Sequence, residues 1–366
     1  MKKFLQAFLT LLCVVTCAFG FTACGEESEN ETSKKPEVPQ IRDDIFAPNL
    51  VSLGDYLYWE PYERATAYTI YQGNTELATV TQNYYHIGEL EEDTFFTATA
   101  TYSDITSEHS RPVRVSKNTG FTGDEILAFS PIESLGTQNV PSTVRKIVIT
   151  SDTAAIVEGS FILEPRNTDI TFALTNITLT STAATGVIHT ADGSYDRTTN
   201  DWSIIFQVEG VCAVEGAELP APSAPKANSG DDGEDGTNGV NAVLASSVVV
   251  TGNGNLSFIG GKGQNGARGA DSDFLSYSTY GHGGNGGDGG SALICKYLLL
   301  NMNNNGTLTL ANGAGGAAGG RGKDNNPVSE SLPHFSHSAA ECDGVEGSAG
   351  QSSVQFSLTL GGTLNK

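Results

Sequence analysis

The chain of 366 residues has few polar side chains at the spacing that a catalytic site requires. The best available cluster for an enzyme is Asp192, Asp196, Arg197 and Asp201. Carboxylates at this spacing suit a Ca²⁺ ion that holds an acidic sugar beside a general base, as in a polysaccharide lyase. The glycine and asparagine residues between them are also typical of a polar turn. We therefore interpret the stretch as a solvated loop and expect no enzyme.

Metal-binding patterns are also weak. His334 and His337, followed by Cys342 and Asp343, offer donors that suit Zn²⁺. Asp288 lies in a glycine-rich stretch close to a calcium-binding nonapeptide pattern, but a glycine replaces the large apolar residue that the pattern requires. Because loops produce such spacings by chance, we expect no metal site and no cofactor. Ca²⁺ near Asp288 is the alternative.

Nucleotides and nucleic acids are excluded on two grounds. The segments 261–266 and 281–286 satisfy the glycine pattern of dinucleotide-binding proteins, but neither opens a helical pattern, so we interpret both matches as coincidence. The chain has 42 acidic residues and only 20 lysines and arginines, for a net charge of −22. No basic stretch is long enough to follow a phosphate backbone, so we expect no nucleic acid partner.

Aromatic side chains are the best candidates for a binding site. Two segments that separate glycine-rich tracts, 271–280 and 323–343, carry aromatic residues in otherwise glycine-rich and polar surroundings. The candidate ligand-binding residues are Phe274, Tyr277, Tyr280, His334, Phe335 and His337. Aromatic faces pack well against sugar rings, so we predict that these residues bind polysaccharide or a cell-surface glycan. A protein partner would give the same pattern.

The N-terminal segment predicts export. Met1–Lys3 is positively charged and Phe4–Phe21 is apolar, as in a secretory signal. The run Phe21-Thr22-Ala23-Cys24 resembles the bacterial lipobox. This resemblance implies removal of residues 1–23, acylation of Cys24, and membrane contact through a lipid anchor only, on the extracytoplasmic face of the cell envelope. An ordinary signal peptide cut before Cys24 is the alternative.

A polar tether and a β-sandwich are expected next. Residues 25–36 lack apolar residues that could nucleate packing, which predicts a disordered tether over 24–44. Residues 45–118 alternate short apolar runs with turns. Gly54 and Gly73 lie where hairpin turns need a positive φ. The sandwich segment resembles the fibronectin type III family at Trp59, Pro61, Ala65, Tyr68, Tyr71, Leu90, Thr94, Phe96, Ser110, Pro112 and Val113. The resemblance implies a spacer or protein-binding platform in which the tryptophan and tyrosines form the core.

Residues 121–366 change to short strands with polar corners, which predicts a β-solenoid. The apolar residues switch phase at Thr175-Asn176, so we expect the chain to turn a corner there. The stretches 170–180 and 206–210 resemble parallel β-helix carbohydrate-binding lipoproteins of bacteria. That resemblance implies a right-handed parallel β-helix. Such helices also host polysaccharide lyases and hydrolases, which is the alternative for function.

Glycine dominates the region 230–350. Most of these glycines fall at every third residue in five tracts, and Leu256 and Phe258 recur 52 residues later as Leu308 and Leu310. A three-residue period suits extended helices that exchange hydrogen bonds sideways, as in polyglycine II. The arrangement resembles the tips of certain bacteriophage tail-fibre adhesins, in which loops joining stacked glycine-rich helices bind the host surface. Flexible glycine linkers are the alternative.

Charge predicts which tracts are neighbours. The first tract carries four acids and the second two bases, namely Asp231, Asp232, Glu234 and Asp235 against Lys262 and Arg268. Together these patterns predict an all-β, non-catalytic surface lipoprotein that binds polysaccharide, or mediates adhesion, through loops of a C-terminal solenoid. A polysaccharide lyase or hydrolase, or a structural stalk, are the alternatives.

Overall fold

Strands make up nearly all the regular structure in the computed structural model, which describes residues 46–130, 134–191, 202–219, 231–271, 281–303, 305–323 and 343–366. The predicted all-β class is confirmed, because two antiparallel sheets precede one sheet of 14 parallel strands. Within these residues the helical structure is one 3-10 turn, Gly123–Glu125, and no helix is long and apolar enough to cross a membrane. The segment Ile45–Lys366 forms one compact unit.

The N-terminal part consists of two antiparallel sheets. The first contains β1 (Val51–Leu53), β2 (Tyr56–Tyr58) and β5 (Tyr84–His86), and the second contains β3 (Ala67–Gln72), β4 (Thr75–Val80), β6 (Thr94–Tyr102), β7 (Ile105–Thr106) and β8 (Val113–Val115). The strand orders are β1-β2-β5 and β4-β3-β6-β7, with β8 also paired to β6. Gly54 and Gly73 have φ angles of 63° and 60°, as predicted for the two hairpin turns.

Aromatic side chains fill the core of this sandwich. Trp59, Tyr68 and Phe96 are each 2% exposed or less, and the rings of Trp59 and Tyr68 lie 5.1 Å apart. The Tyr68 hydroxyl accepts the N–H of Tyr62 at 2.9 Å, so its polar end is satisfied. These rings are core residues, as predicted for Trp59 and the tyrosines.

The remaining strands form a parallel solenoid. They are β9 (Ile126–Phe129), β10 (Gly136–Val140), β11 (Lys146–Leu163), β12 (Ile170–Ser181), β13 (Ile188–Thr190), β14 (Ser203–Glu209), β15 (Val211–Gly216), β16 (Val243–Leu244), β17 (Ser247–Gly252), β18 (Asn255–Ile259), β19 (Leu293–Met302), β20 (Thr307–Ala311), β21 (Ser353–Gly361) and β22 (Thr363–Asn365). Every pairing among them is parallel.

Three ladders of strands give the solenoid three faces. Face A contains β9, the first parts of β11 and β12, β14, β17, and the last parts of β19 and β21. Face B contains the middle of β11, the last part of β12, β15, β18, β20 and β22. Face C contains β10, the end of β11, β13, β16, and the first parts of β19 and β21.

The predicted corner and the predicted repeat are both confirmed. Asn176 has a φ of 54°, and β12 pairs with β14 before this residue and with β15 after it. Leu256 aligns with Leu308 and Phe258 with Leu310, so the 52-residue period is the length of one coil. A row of phenylalanine rings, 5.0 to 5.9 Å apart, joins the first coils inside the solenoid: Phe129, Phe161, Phe172, Phe206 and Phe258.

The first sheet of the sandwich packs on the outer surface of face A. Leu53 and Tyr56 form an apolar cluster with Val249 and Leu299 of the solenoid. The Asn301 amide also donates a hydrogen bond to the Tyr56 hydroxyl at 3.1 Å. The sandwich is therefore fixed on the solenoid by packing as well as by chain connection.

Candidate functional site at the end of a glycine bundle

Glycine-rich tracts interrupt the solenoid between face B and face C. They are tract 1 (231–241), tract 2 (260–271), tract 3 (281–291), tract 4 (312–323) and tract 5 (343–352), and together we call them the glycine bundle. Tracts 2 and 4 follow β18 and β20 of face B, whereas tracts 1, 3 and 5 lead into β16, β19 and β21 of face C. The chain therefore runs outward in tracts 2 and 4 and returns in tracts 1, 3 and 5.

Main-chain hydrogen bonds join neighbouring tracts. Gly287 of tract 3 donates its N–H to the Gln264 carbonyl of tract 2 at 2.8 Å, and Gly316 of tract 4 donates to the Gly287 carbonyl at 2.8 Å. Such bonds recur every third residue, between consecutive antiparallel tracts and between the parallel pairs 1 and 3, 2 and 4, and 3 and 5. They satisfy backbone groups that a three-residue helix leaves unpaired. The expected sideways bonding is confirmed.

Close approach of these tracts explains the glycine period. A Cβ atom on Gly287 would lie 2.0 Å from the Thr237 carbonyl oxygen, and one on Gly289 would lie 1.9 Å from the Gly313 carbonyl oxygen. Tract 3 bonds to all four other tracts and has glycine at two of every three positions. Glycine is therefore needed wherever one tract faces the main chain of another.

Aspartate and asparagine side chains form a second hydrogen-bond system that we did not predict. The acceptors Asp232, Asp235, Asn238 and Asn241 of tract 1 lie 2.6 to 2.9 Å from the N–H groups of His282, Asn285, Asp288 and Ser291 of tract 3. Asn285 and Asp288 in turn accept the N–H groups of Val345 and Ser348 of tract 5. The signal in the sequence is an Asp or Asn at every third position of tract 1.

Tracts 1 and 2 are neighbours, as predicted, but main-chain bonds join them. The Ala267 N–H donates to the Glu234 carbonyl at 2.8 Å. The two bases make other ion pairs, Lys262 with Glu218 at 3.6 Å and Arg268 with Asp271 in its own tract. Exposed pairs of this kind contribute little, so backbone bonding determines the neighbours.

One end of the bundle, which we call the distal end, gathers the ends of several tracts. The Ala270 carbonyl at the end of tract 2 accepts the N–H of Gly281, where tract 3 begins, at 2.9 Å. At the same end Lys323 of tract 4 donates its N–H to Asp271 at 2.7 Å, and Arg321 donates to Asp343 of tract 5 at 3.0 Å. The described residues that flank the segments 272–280 and 324–342 therefore all lie at the distal end.

The predicted binding residues lie outside the described residues. Phe274, Tyr277 and Tyr280 fall in 272–280, and His334, Phe335 and His337 fall in 324–342. Cys24, Cys342 and the acidic cluster Asp192, Asp196, Arg197 and Asp201 also lie outside. Asp343 is described, and its carboxylate accepts the Arg321 N–H. The predicted roles of all the other residues named here stay predictions.

In the described residues, the sequence patterns considered above for metal and nucleotide binding belong to the glycine bundle. Asp288 accepts the Ser348 N–H at 2.7 Å, and no group of three or more His, Cys, Asp or Glu side chains in the described ranges is arranged to hold a metal ion. The two dinucleotide-like segments lie within tracts 2 and 3, without a following helix. Cys212 and Cys295 are both buried.

Comparisons with protein-family models, with curated proteins and with solved structures find no match to this chain. The candidate site therefore depends on the geometry of the glycine bundle and on the two aromatic segments that leave its distal end.

Proposed function

We propose that the protein is a non-catalytic surface lipoprotein that attaches to polysaccharide through the segments 272–280 and 324–342. One observation carries the proposal: the described residues that flank both segments lie at the distal end of one hydrogen-bonded bundle. All six candidate aromatic and histidine residues belong to these two segments. Their common anchorage supports a single binding surface rather than two separate ones.

A rigid support favours binding by loops. Each tract bonds to at least two neighbours, so the loop ends are held in place before a ligand arrives. Fixed ends reduce the conformational entropy that binding must overcome. A three-fold extended helix rises about 3.1 Å per residue, so a tract of ten residues is about 30 Å long. The bundle would hold the loops well away from the solenoid.

In this proposal the N-terminal segment attaches the protein to the cell. Acylation of Cys24 would anchor the protein to the extracytoplasmic face of the envelope, with 24–44 as a tether. We also propose that residues 45–118 belong to the fibronectin type III class. The strand orders β1-β2-β5 and β4-β3-β6, with β8 beside β6, support this assignment, as does the Trp59 core.

A glycan array tests the proposal. The protein without residues 1–23, with Cys24→Ser to keep it soluble, is compared with a variant that also carries Phe274→Ala, Tyr277→Ala, Tyr280→Ala and Phe335→Ala. Since a well-packed aromatic contact contributes about 0.5–1.5 kcal/mol, the four changes together should weaken binding by at least about 30-fold. The matched control is Phe95→Ala, which removes a ring that is 58% exposed on the sandwich.

Three results would contradict the proposal. Glycan binding that persists after the four substitutions would show that the binding site lies elsewhere. An absence of binding by the unsubstituted protein would favour a structural stalk. Release of unsaturated products from polyuronates would identify a lyase instead.

A further inference from the structure

An open cleft of about 730 Å³ lies where the sandwich meets the first coils of the solenoid. Its lining includes Arg114 of the sandwich and Arg145, Arg166 and Thr168 of the solenoid. This cleft is separate from the glycine bundle and plays no part in the proposed attachment. Its volume lies within the range of small-ligand sites.

Positive charge is concentrated in the cleft although the chain as a whole is acidic. Of the seven arginines in the described ranges, three line this cleft. Asp93 accepts hydrogen bonds from Arg145 at 3.1 and 3.3 Å and from Arg114, so one carboxylate is shared by two guanidinium groups. Burial alone would raise the pKa of Asp93, but these bonds outweigh burial and hold that pKa well below its usual range.

The other acids near the cleft do not cancel its charge. Glu125 also lines the cleft, but its carboxylate pairs with Lys117 at 2.8 Å. Arg166 donates to the main-chain carbonyls of Val140, Pro141 and Val144, and has no ion pair within the described residues. Burial lowers the pKa of Arg166 to about 10, and the nearby Glu164 opposes that effect only in part. Three arginines against Asp93 and Glu164 leave the cleft net positive while the neighbouring Asp169, whose pKa burial raises to about 7, keeps its proton.

Two buried polar atoms in the lining lack a hydrogen-bond partner among the described residues. They are Arg114 Nε and Thr168 Oγ1, and Thr168 as a whole is only 5% exposed. Buried polar groups in folded proteins are nearly always paired, and an unpaired one costs about 1–3 kcal/mol. Both atoms can donate a hydrogen bond but are covered by the lining itself, so an anionic oxygen reaches them only after a small movement of these side chains.

We propose that this cleft binds an oxyanion, namely a carboxylate, sulfate or phosphate group. The anion accepts hydrogen bonds from Arg114 and from the Thr168 hydroxyl, beside the positive charge of Arg145, and Arg166 stabilises it through its charge. The volume of the cleft leaves room for a sugar that carries the anionic group. The source is therefore either a free inorganic anion or an acidic sugar.

Thermal unfolding in the presence of anions tests this site. The melting temperature of the whole exported chain is measured against increasing sodium phosphate, sodium sulfate or sodium glucuronate, with ionic strength held constant by sodium chloride. A bound anion should raise the melting temperature saturably, and isothermal calorimetry should give the affinity. Tighter binding of glucuronate than of inorganic anions would identify an acidic sugar, and the reverse would identify a free anion.

Substitutions separate a binding site from a structural ion pair. Thr168→Val keeps the shape of the side chain and removes an unpaired hydroxyl, so without anion it should melt at or above the original temperature. It should weaken anion binding about tenfold. Arg111→Ala is the control, because it removes an exposed arginine of the sandwich that does not line the cleft. Equal weakening by both variants, or no saturable shift beyond that in chloride, would overturn the proposal.

Discussion

Asp169 is a buried carboxylate at the junction of the sandwich and the solenoid. It is 7% exposed, its N–H donates to the Ser116 hydroxyl at 2.9 Å, and its carboxylate accepts the Ser203 N–H at 2.7 Å. Burial raises the pKa of Asp169 to about 7, and Asp93 and Asp55 add to the effect, whereas the Ser203 bond and Arg145 oppose it. The folded protein therefore favours the protonated form.

This residue should make stability fall as pH rises. The unfolded carboxyl ionises near pH 4, whereas the folded one keeps its proton until about pH 7, so the native state binds more protons in that interval. The cost is absent below pH 4 and complete above pH 7, where a shift of this size corresponds to roughly 4 kcal/mol at most. Asp169→Asn keeps an oxygen for the Ser203 N–H and cannot ionise.

We expect Asp169→Asn to match the original protein near pH 4 and to be more stable at pH 8. Urea unfolding at a series of pH values measures the difference between the two free energies of unfolding. Asp93 does not titrate between pH 4 and pH 8, because its hydrogen bonds hold its pKa well below its usual range. A difference that does not change with pH would contradict the assignment.

Single residues were the hardest feature to predict from the sequence. The first coils of the solenoid bring Arg145 and Arg166 together, and the packing of the sandwich on the solenoid adds Arg114 to the same cleft. The sequence of tract 1 shows an Asp or Asn at every third position, but the N–H groups that these side chains accept lie 50 residues away in the chain. Side-chain acceptors of this kind depend on which tracts are neighbours, and a local pattern does not contain that information.

At the scale of elements, periodic patterns were the most informative. The phase switch at Thr175-Asn176 predicted the corner of the solenoid. The 52-residue repeat predicted the length of one coil. We did not predict β5, because Tyr84–His86 has three residues and no alternation that distinguishes a strand from a turn. We also did not predict β11 as one strand from Lys146 to Leu163, which contributes to all three faces and has a register shift between Thr150 and Ala155.

Two glycines of the bundle should respond differently to the same substitution. A Cβ atom on Gly287 would overlap the Thr237 carbonyl, whereas one on Gly320 would have no atom of the described residues within 4 Å. Gly287→Ala should destabilise the protein by about 1–3 kcal/mol or more, because the tracts must move apart. Gly320→Ala should be neutral or stabilising by about 0.4–1 kcal/mol, because it restricts the unfolded chain.

Thermal unfolding of both alanine variants measures this contrast. Equal destabilisation would mean that loss of glycine flexibility, and not close approach, is the source of the effect. Equal neutrality would mean that the tracts do not pack against each other in solution.

At the scale of the whole molecule, the sandwich and the glycine bundle occupy different sides of the solenoid. The sandwich covers face A, and the bundle leaves between faces B and C. The distal end of the bundle, with both aromatic segments attached, is therefore not covered by the sandwich. This separation suits a protein that is tethered through its N-terminal part and binds through its glycine bundle.

Residue-resolved amide hydrogen exchange is the most direct test of the central claim that the tracts form a rigid bundle. The N–H groups of Gly284, Gly287 and Gly290 donate to tract 2 at 2.7 to 2.9 Å, so they should exchange as slowly as amides of β19. The N–H groups of Glu346 and Ala349, which have no acceptor among the described residues, should exchange fast and serve as the internal control. Exchange of the three glycines at the rate of an unstructured peptide would contradict the account.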